Sequence, residues 1–290
     1  DKEFVTPDPV PKTLEFDIKM VYDWLGFEIP TSHIIASLEK LRYKAEPVNE
    51  KLKVFIPVYR VDILHPVDII EDIATGYGYS NIKPTLISDF TIGEFAPEEE
   101  FSNKFRMTLV GLGFVEVMGS MLTNVKEQFE YLRQIPSSHV EIMNPKSIDQ
   151  SIVRTTLMHD LLKIFRINIQ HTMPQKIFEI GDVCLIDETS ETGASSIRKL
   201  AVGIMSSKAG YEEINSVANA LLKRFGYNAS FEPCNHPSFL KGRVAKIIVN
   251  DKELGVLGEL HPEVLENFNI SYPVSLMEID LSTLYSFLYN

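Results

Sequence analysis

The sequence predicts an α+β chain of two units, and three observations lead there. Residues 1–84 carry helical and β-rich segments in the order helix, helix, hairpin, helix. Residues 83–97 (KPTLISDFTIGEFAP) have the composition of a linker. From Glu98 onward helices alternate with strands joined by short turns such as Asn250-Asp251-Lys252, which favours antiparallel pairing. The expected partition is therefore a small module over 1–84, a linker over 85–97 and a sheet domain with flanking helices over 98–290.

In the first unit, Asp17 to Leu25 reads as a short helix with Ile18, Val21, Tyr22 and Leu25 on one face and Gly26 ending it. Thr31 is the expected cap of a second helix with the stripe Ile34, Ile35, Leu38 and Leu41. Lys51 to Tyr59 is β-rich and is expected to pair with the segment around Ala45 across a turn at Val48-Asn49-Glu50. A third helix follows from Pro66 to Thr75, since proline is well tolerated at a first helical position. This order is winged-helix-like. That fold often binds DNA, but fold does not imply function, and the second helix has few side chains suited to reading bases.

In the second unit a helix carries Phe101, Phe105, Leu109 and Leu112 at helical spacing, and a strand is expected over Phe114–Leu122. Helices are expected at Asn124–Leu132, Thr155–Gln170 and Tyr211–Phe225, with a short one opening at Pro262. Strands are expected at Lys176–Ile186, Leu200–Ser206, Ser230–Pro233, Arg243–Val249, Leu254–Glu259 and Val274–Ile279. The whole is a single large antiparallel sheet with helices packed on it.

Composition narrows the function classes. With 290 residues and 44% hydrophobic content the chain suits about two domains with proper cores. It has no apolar run long enough to span a membrane. Its charged, proline-broken opening does not read as a signal peptide and lacks a starting methionine, as expected of an excised or processed chain. The two cysteines, Cys184 and Cys234, lie far apart without a Cys-x-x-Cys partner, which suggests a reducing cytoplasm. A net charge of −12 opposes nucleic-acid binding by this chain itself, because phosphate contacts demand a basic footprint. Lys40, Arg42 and Lys44, or Lys223 and Arg224, form only sparse local patches.

The most informative stretch is RVDILHPVDIIEDIATGYGYSNI at 60–82. Asp68, Glu71 and Asp72 fall on one face of the third helix, because residues three and four apart are neighbours there, and Asp62 arrives from the preceding extended segment. Converging carboxylate oxygens make a cradle for a hard cation such as magnesium. The alternative is a solvated acidic face, with Asp68 favourably placed near the positive end of the helix.

This stretch resembles the β subunits of phenylalanyl-tRNA synthetase, in the winged-helix-like module before their catalytic-like core. The match runs through Arg60-Val61-Asp62, Asp68, Glu71-Asp72, Gly76-Tyr77-Gly78-Tyr79 and Asn81-Ile82. It continues in RMTLVGLGFVEVM at 106–118, SIVRTTLMHDLL at 151–162, PQKIFEIGDVCL at 174–185, HPSFLKGRVAKIIV at 236–249 and GVLGELHPEVLENFNI at 255–270. Its flavour is archaeal or eukaryotic. The resemblance implies a class II synthetase-like antiparallel sheet domain after the small module. It also implies a magnesium ion at Asp62, Asp68, Glu71 and Asp72 on the boundary with the α subunit, where bacterial relatives tend to have Glu in the fourth position. In this family the helix equivalent to the one bearing Phe101 helps build the α–β interface, so partial exposure is expected in this chain alone.

Activation of an amino acid needs cations over the ATP phosphates. Active class II domains place one arginine in a Phe-Arg-x-Glu strand and another after a glycine-rich strand. The corresponding stretches here, Ile177-Phe178-Glu179-Ile180-Gly181 and Gly255-Val256-Leu257-Gly258-Glu259-Leu260-His261-Pro262, lack both. Arg154 and Arg243 are expected to be structural, and no catalytic or cofactor-binding residue is assigned. His261 is expected to cap the Pro262 helix, and Gly76-x-Gly78 to terminate the third helix before it cradles any phosphate. The implied function is a non-catalytic scaffold in a tetramer of two α and two β chains. The α subunit would hold ATP and phenylalanine and charge tRNA; an editing domain would lie before residue 1. The rival is a nucleic-acid-binding winged-helix protein with an unrelated α+β partner domain; a free-standing ligase with unusual ATP residues stands third.

Overall fold

The structure is a computed structural model in which residues 10–87 and 89–288 are described. The chain divides between Ile92 and Gly93 into two compact units.

The smaller unit runs β1 (Lys12–Asp17), α1 (Ile18–Leu25), α2 (Thr31–Lys40), β2 (Lys44–Val48), β3 (Lys51–Ile56) and α3 (Pro66–Tyr77). Its sheet has the order β1-β3-β2, antiparallel throughout, with Phe16 opposite Leu52 and Ala45 opposite Val54. Along β3 the buried side chains alternate, Leu52, Val54 and Ile56, the pattern of a strand with one face on a core. They meet Val21, Ile34, Leu38, Ile69 and Ile73 from the helices. Asn49 takes φ 56° and reverses the chain between β2 and β3.

Three local expectations change here. The strand β1 has no counterpart among the expected elements; it pairs antiparallel with β3 at the edge of the sheet. Thr31 is the first residue of α2 rather than its cap, and Pro30 before it offers no side-chain oxygen. Gly76 lies inside α3, which ends at Gly78. A Cβ at Gly76 would stand 2.2 Å from the Ser37 carbonyl oxygen, so this glycine sets the close approach of α2 and α3.

The larger unit begins with α4 (Pro97–Gly111), then β4 (Val115–Glu116), β5 (Leu122–Thr123), a π-helical turn at Lys126–Glu130, β6 (Ile152–Val153) and α5 (Met158–Ile167). There follow β7 (Gln175–Ile186), β8 (Ala194–Met205), α6 (Tyr211–Arg224), β9 (Ala229–Pro233), β10 (Phe239–Val249), β11 (Lys252–Leu260), α7 (Pro262–Asn267), β12 (Val274–Asp280) and α8 (Leu281–Ser286). Seven strands form one sheet in the order β4-β7-β8-β12-β11-β10-β9.

That sheet is mixed, not purely antiparallel: β4 pairs with β7 in parallel, Val115 opposite Ile177. The strand expected over Phe114–Leu122 breaks after Glu116, and its far end pairs separately with β6. Beyond the break the Gly119 backbone N–H donates to Glu179 Oε2 at 3.1 Å. Two apolar layers sandwich the sheet. One joins Phe105 and Leu109 of α4, Leu221 and Leu222 of α6 and Leu281 of α8. The other joins Leu161 and Phe165 of α5 and Val264 of α7. Between them β12 buries Val274 to Ile279 without interruption, as a strand covered on both faces does. Among the described residues no helix is long and apolar enough to cross a membrane.

Candidate functional site

The acidic helix start is built by a capping box. His65 sits in extended conformation before Pro66, and its Nδ1 accepts the Val67 N–H at 3.2 Å. Asp68 reaches back, its Oδ2 accepting the N–H groups of Leu64 and His65 at 2.8 Å each. The reciprocal arrangement satisfies donors that a helix start leaves open. Those two backbone donors hold the Asp68 carboxyl below the usual carboxylate range.

Asp62 and Asp72 have a different partner. Arg60 forks onto Asp62, with Nε at 2.9 and 3.1 Å from its oxygens and Nη2 at 2.7 Å from Oδ2. Its Nη1 lies 2.8 Å from Asp72 Oδ2. The Tyr43 hydroxyl donates to that same oxygen, and the guanidinium stands 5.5 Å from the centre of the Tyr43 ring. Burial and then the Asp72 contact push the Tyr43 hydroxyl well above its ordinary value, while hydrogen bonding to Arg60 pulls Asp62 down. Glu71, one position before Asp72, is exposed.

The four expected metal ligands therefore do not form one ligand set. Asp68 serves the backbone, Asp62 and Asp72 close on Arg60, and Glu71 faces solvent. As they stand these residues do not fit magnesium, because a guanidinium holds the two carboxylates that would have to converge. Among the described residues, no group of three or more His, Cys, Asp and Glu is arranged to hold a metal. The basic patch of the same unit is partly engaged too. Lys40 donates to the Gly76 carbonyl at 2.7 Å and Lys44 pairs with Glu46 at 2.8 Å.

In the larger unit the comparable feature lies inside. Arg154 places Nη1 at 2.9 Å from Asp160 Oδ2 and 2.7 Å from Glu179 Oε1, and its Nε donates to the Asp182 carbonyl at 2.9 Å. The side chains of Arg154, Asp160 and Glu179 are 5%, 3% and 2% exposed. Burial pushes both carboxyls up, and the Arg154 charge opposes the shift. Two glycines make room for the cluster. A Cβ at Gly119 would come within 2.5 Å of Asp160 Cγ, and one at Gly181 within 2.3 Å of Arg154 Nη2. Beside it His159 is fully buried, and neither ring nitrogen has a hydrogen bond among the described residues. Burial drives its protonation down to about 3, so it is neutral.

Other charges nearby are also occupied. Glu278 accepts from Thr156 Oγ1 and Leu157 N at 2.7 Å and from Lys199 Nζ at 2.8 Å. Arg243 closes on both oxygens of Glu259 at 3.0 and 2.7 Å, and Arg198 is held by Asp182 and Glu99. His261 caps α7, its Nδ1 accepting the Glu263 N–H. Arg154 and Arg243 thus pair with carboxylates, one of the two structural roles the sequence suggests for them, although it does not point to the carboxylates concerned. The nearest visible signal was the run Arg154 to Asp160, and Glu179 had none.

The surface of α4 completes the picture. Phe101, Phe105 and Leu109 are core, whereas Leu112 of the expected stripe is exposed. On another side of α4 Met107 and Val110 are exposed, and Val115 and Met118 beyond the helix are exposed too.

Comparison with known proteins gives a consistent set of likenesses. Residues 82–281 match the family described as the phenylalanyl tRNA synthetase beta chain CLM domain, and residues 14–79 match the tRNA synthetase B5 domain. The phenylalanine–tRNA ligase beta subunit of Methanococcus vannielii is 38% identical over 94% of this chain and 50% of its own length. That of Pyrococcus abyssi is 37% identical over 98% of this chain and 51% of its own. The chain thus spans about half the length of the curated relatives it matches. Among solved structures, the pyrrolysyl-tRNA synthetase of Desulfitobacterium hafniense superposes with a TM-score of 0.54 at 18% identity, covering 67% of this chain and 70% of that one. This last likeness concerns the fold alone, a synthetase-like sheet with helices.

Proposed function

The chain belongs to the phenylalanyl-tRNA synthetase β-chain family, and we propose that it acts there as a non-catalytic scaffold for an α subunit that performs the chemistry. The observation that carries this reading is the state of the arginines around the large sheet. Arg154, Arg198 and Arg243 each close on carboxylates of this chain. A guanidinium already neutralised by a carboxylate, and in the case of Arg154 buried with it, is poorly placed to stabilise charge developing on a phosphate. ATP and phenylalanine would then bind the α subunit, and tRNA the assembled enzyme, with two α and two β chains in the cytoplasm.

The exposed face of α4 supports the same reading. Met107 and Val110 are apolar and exposed on α4, as interface side chains of a free chain would be. The small unit is read as winged-helix-like, with β2 and β3 as the wing, and 1–84, 85–97 and 98–290 remain the working partition. A role in reading nucleic acid is disfavoured by the engagement of Lys40 and Lys44 within the module.

The test is phenylalanine-dependent exchange of pyrophosphate into ATP, with complex size followed on the same samples. The chain alone should be silent; mixed with a phenylalanine–tRNA ligase α subunit it should co-migrate and show exchange. Exchange by the chain alone would overturn the scaffold assignment, as would failure to form any complex.

A further inference from the structure

We propose that the cavity between the turns at His236-Pro237 and His261-Pro262 is a binding site for a phosphate group. The two turns are built alike. In each, the histidine Nδ1 accepts the backbone N–H two positions on, from Ser238 at 3.3 Å and from Glu263 at 3.2 Å. The His261 N–H donates to the Ser238 carbonyl at 2.9 Å and sets the turns side by side. Together with Arg133, Asn235 and Lys241 the two histidines line a cavity of about 470 Å3. Ser238, fully buried, ties the Arg133 segment to this pair. Its Oγ donates to the Leu132 carbonyl at 2.6 Å and accepts from Gln134 Nε2 at 3.1 Å.

The lining offers mainly donors. A neutral imidazole whose Nδ1 accepts a hydrogen bond carries its proton on Nε2, and neither Nε2 has a hydrogen-bond partner among the described residues. Burial pushes His236 below its ordinary value, so near neutral pH its ring is an uncharged donor. Arg133 places Nη1 on the Pro237 carbonyl and Nε beside Glu263 Oε2, at 2.7 Å each, and keeps Nη2 free among the described residues. β10 loses its register with β11 between Phe239 and Val244, where Gly242 takes φ 81°. Lys241 lies in that unpaired stretch, exposed and without a partner among the described residues. Glu263 is the one carboxylate among the described residues in contact with these side chains. In a chain of net charge −12 the cavity is a local reversal of sign. A phosphate brings three strong acceptor oxygens, enough to take guanidinium, ammonium and imidazole donors together, and charge-assisted bonds of this kind are the strong ones.

Two probes at fixed ionic strength separate a free phosphate from one in a nucleic-acid backbone. Inorganic phosphate is followed by phosphorus NMR, and a single-stranded RNA oligonucleotide without terminal phosphates by fluorescence anisotropy, each with the full chain. The native chain should bind at least one of them. Lys241→Gln should weaken that binding roughly tenfold, the worth of one hydrogen bond from a charged donor. Lys208→Gln, outside the cavity on the segment between β8 and α6, should leave it unchanged. Binding of inorganic phosphate would identify a free phosphate ligand, and binding of the RNA alone a backbone phosphate. Arg133→Gln should also weaken binding, but it gives up the contacts to Pro237 and Glu263 as well. Lys241→Gln therefore decides, since its side chain has no partner to lose, with circular dichroism verifying its fold. No binding of either probe by the native chain, or equal affinity in the native chain and Lys241→Gln, would overturn the proposal.

Discussion

Each unit contains an arginine set between two carboxylates, and the two clusters differ in burial more than in chemistry. Arg60 with Asp62 and Asp72 is solvent-flanked, Asp62 being 60% exposed. Arg154 with Asp160 and Glu179 is sealed under the sheet. In water the attraction between such charges is weak and screened. Inside, it is strong, but it must offset the cost of stripping water from three ions. The exposed cluster is therefore weakly held by its charges. In the buried one, loss of Arg154 would leave two carboxylates without a counter-charge.

The largest effect that would sharpen this contrast is expected from Arg154→Met. It strands Asp160 and Glu179 without a counter-charge and should cost about 3–5 kcal/mol of unfolding free energy, read from denaturant titration of the chain. A loss under about 1 kcal/mol would mean that the buried carboxyls simply take up protons, and the contrast would collapse. Gly119→Ala comes next. Its new methyl meets Asp160 in a packed interior, with an expected loss of about 1–3 kcal/mol in the same titration.

Acidity probes the inner cluster without mutation. His159 has a folded value near 3, below its ordinary 6.5. Between those limits the unfolded chain binds a proton that the folded chain refuses. Stability should accordingly fall as pH drops from about 6.5 towards 3. Asp160 and Glu179 act in the opposite sense, because their raised values let the folded state take protons first. Replacing His159 with leucine should flatten the acid limb of a stability–pH curve; an unchanged slope would assign that limb to other groups.

The smallest effect is expected outside. Arg60→Gln breaks a partly solvated network and should cost about 1 kcal/mol or less in the absence of divalent ions. A loss as large as that of Arg154→Met would show that the outer cluster is structural after all.

What could be read in the sequence follows the range of the interactions. The α3 start was legible because its acids repeat at helical spacing behind a proline, all within a dozen positions. The strands β7, β10, β11 and β12 were legible as apolar, β-rich runs between short turns, whereas β8 begins six residues before the expected Leu200. The inner cluster was not legible, because Gly119, Arg154, Asp160 and Glu179 meet only through tertiary packing, and periodicity carries no information about such encounters. The segment 114–122 reads as one strand because it is mostly apolar, and its contact with Glu179 comes from sixty positions away. Short elements at the margins, β1 and α8, offered too few residues to show a period. On the acidic face the spacing was right about proximity and silent about Arg60, since a basic residue two positions from an acid reads as surface decoration until the loop folds.

Several apolar side chains lie outside both cores: in the stretch 83–96, Leu86 is 97%, Phe90 91% and Ile92 85% exposed. Apolar side chains left in water in this way favour self-association of the free chain.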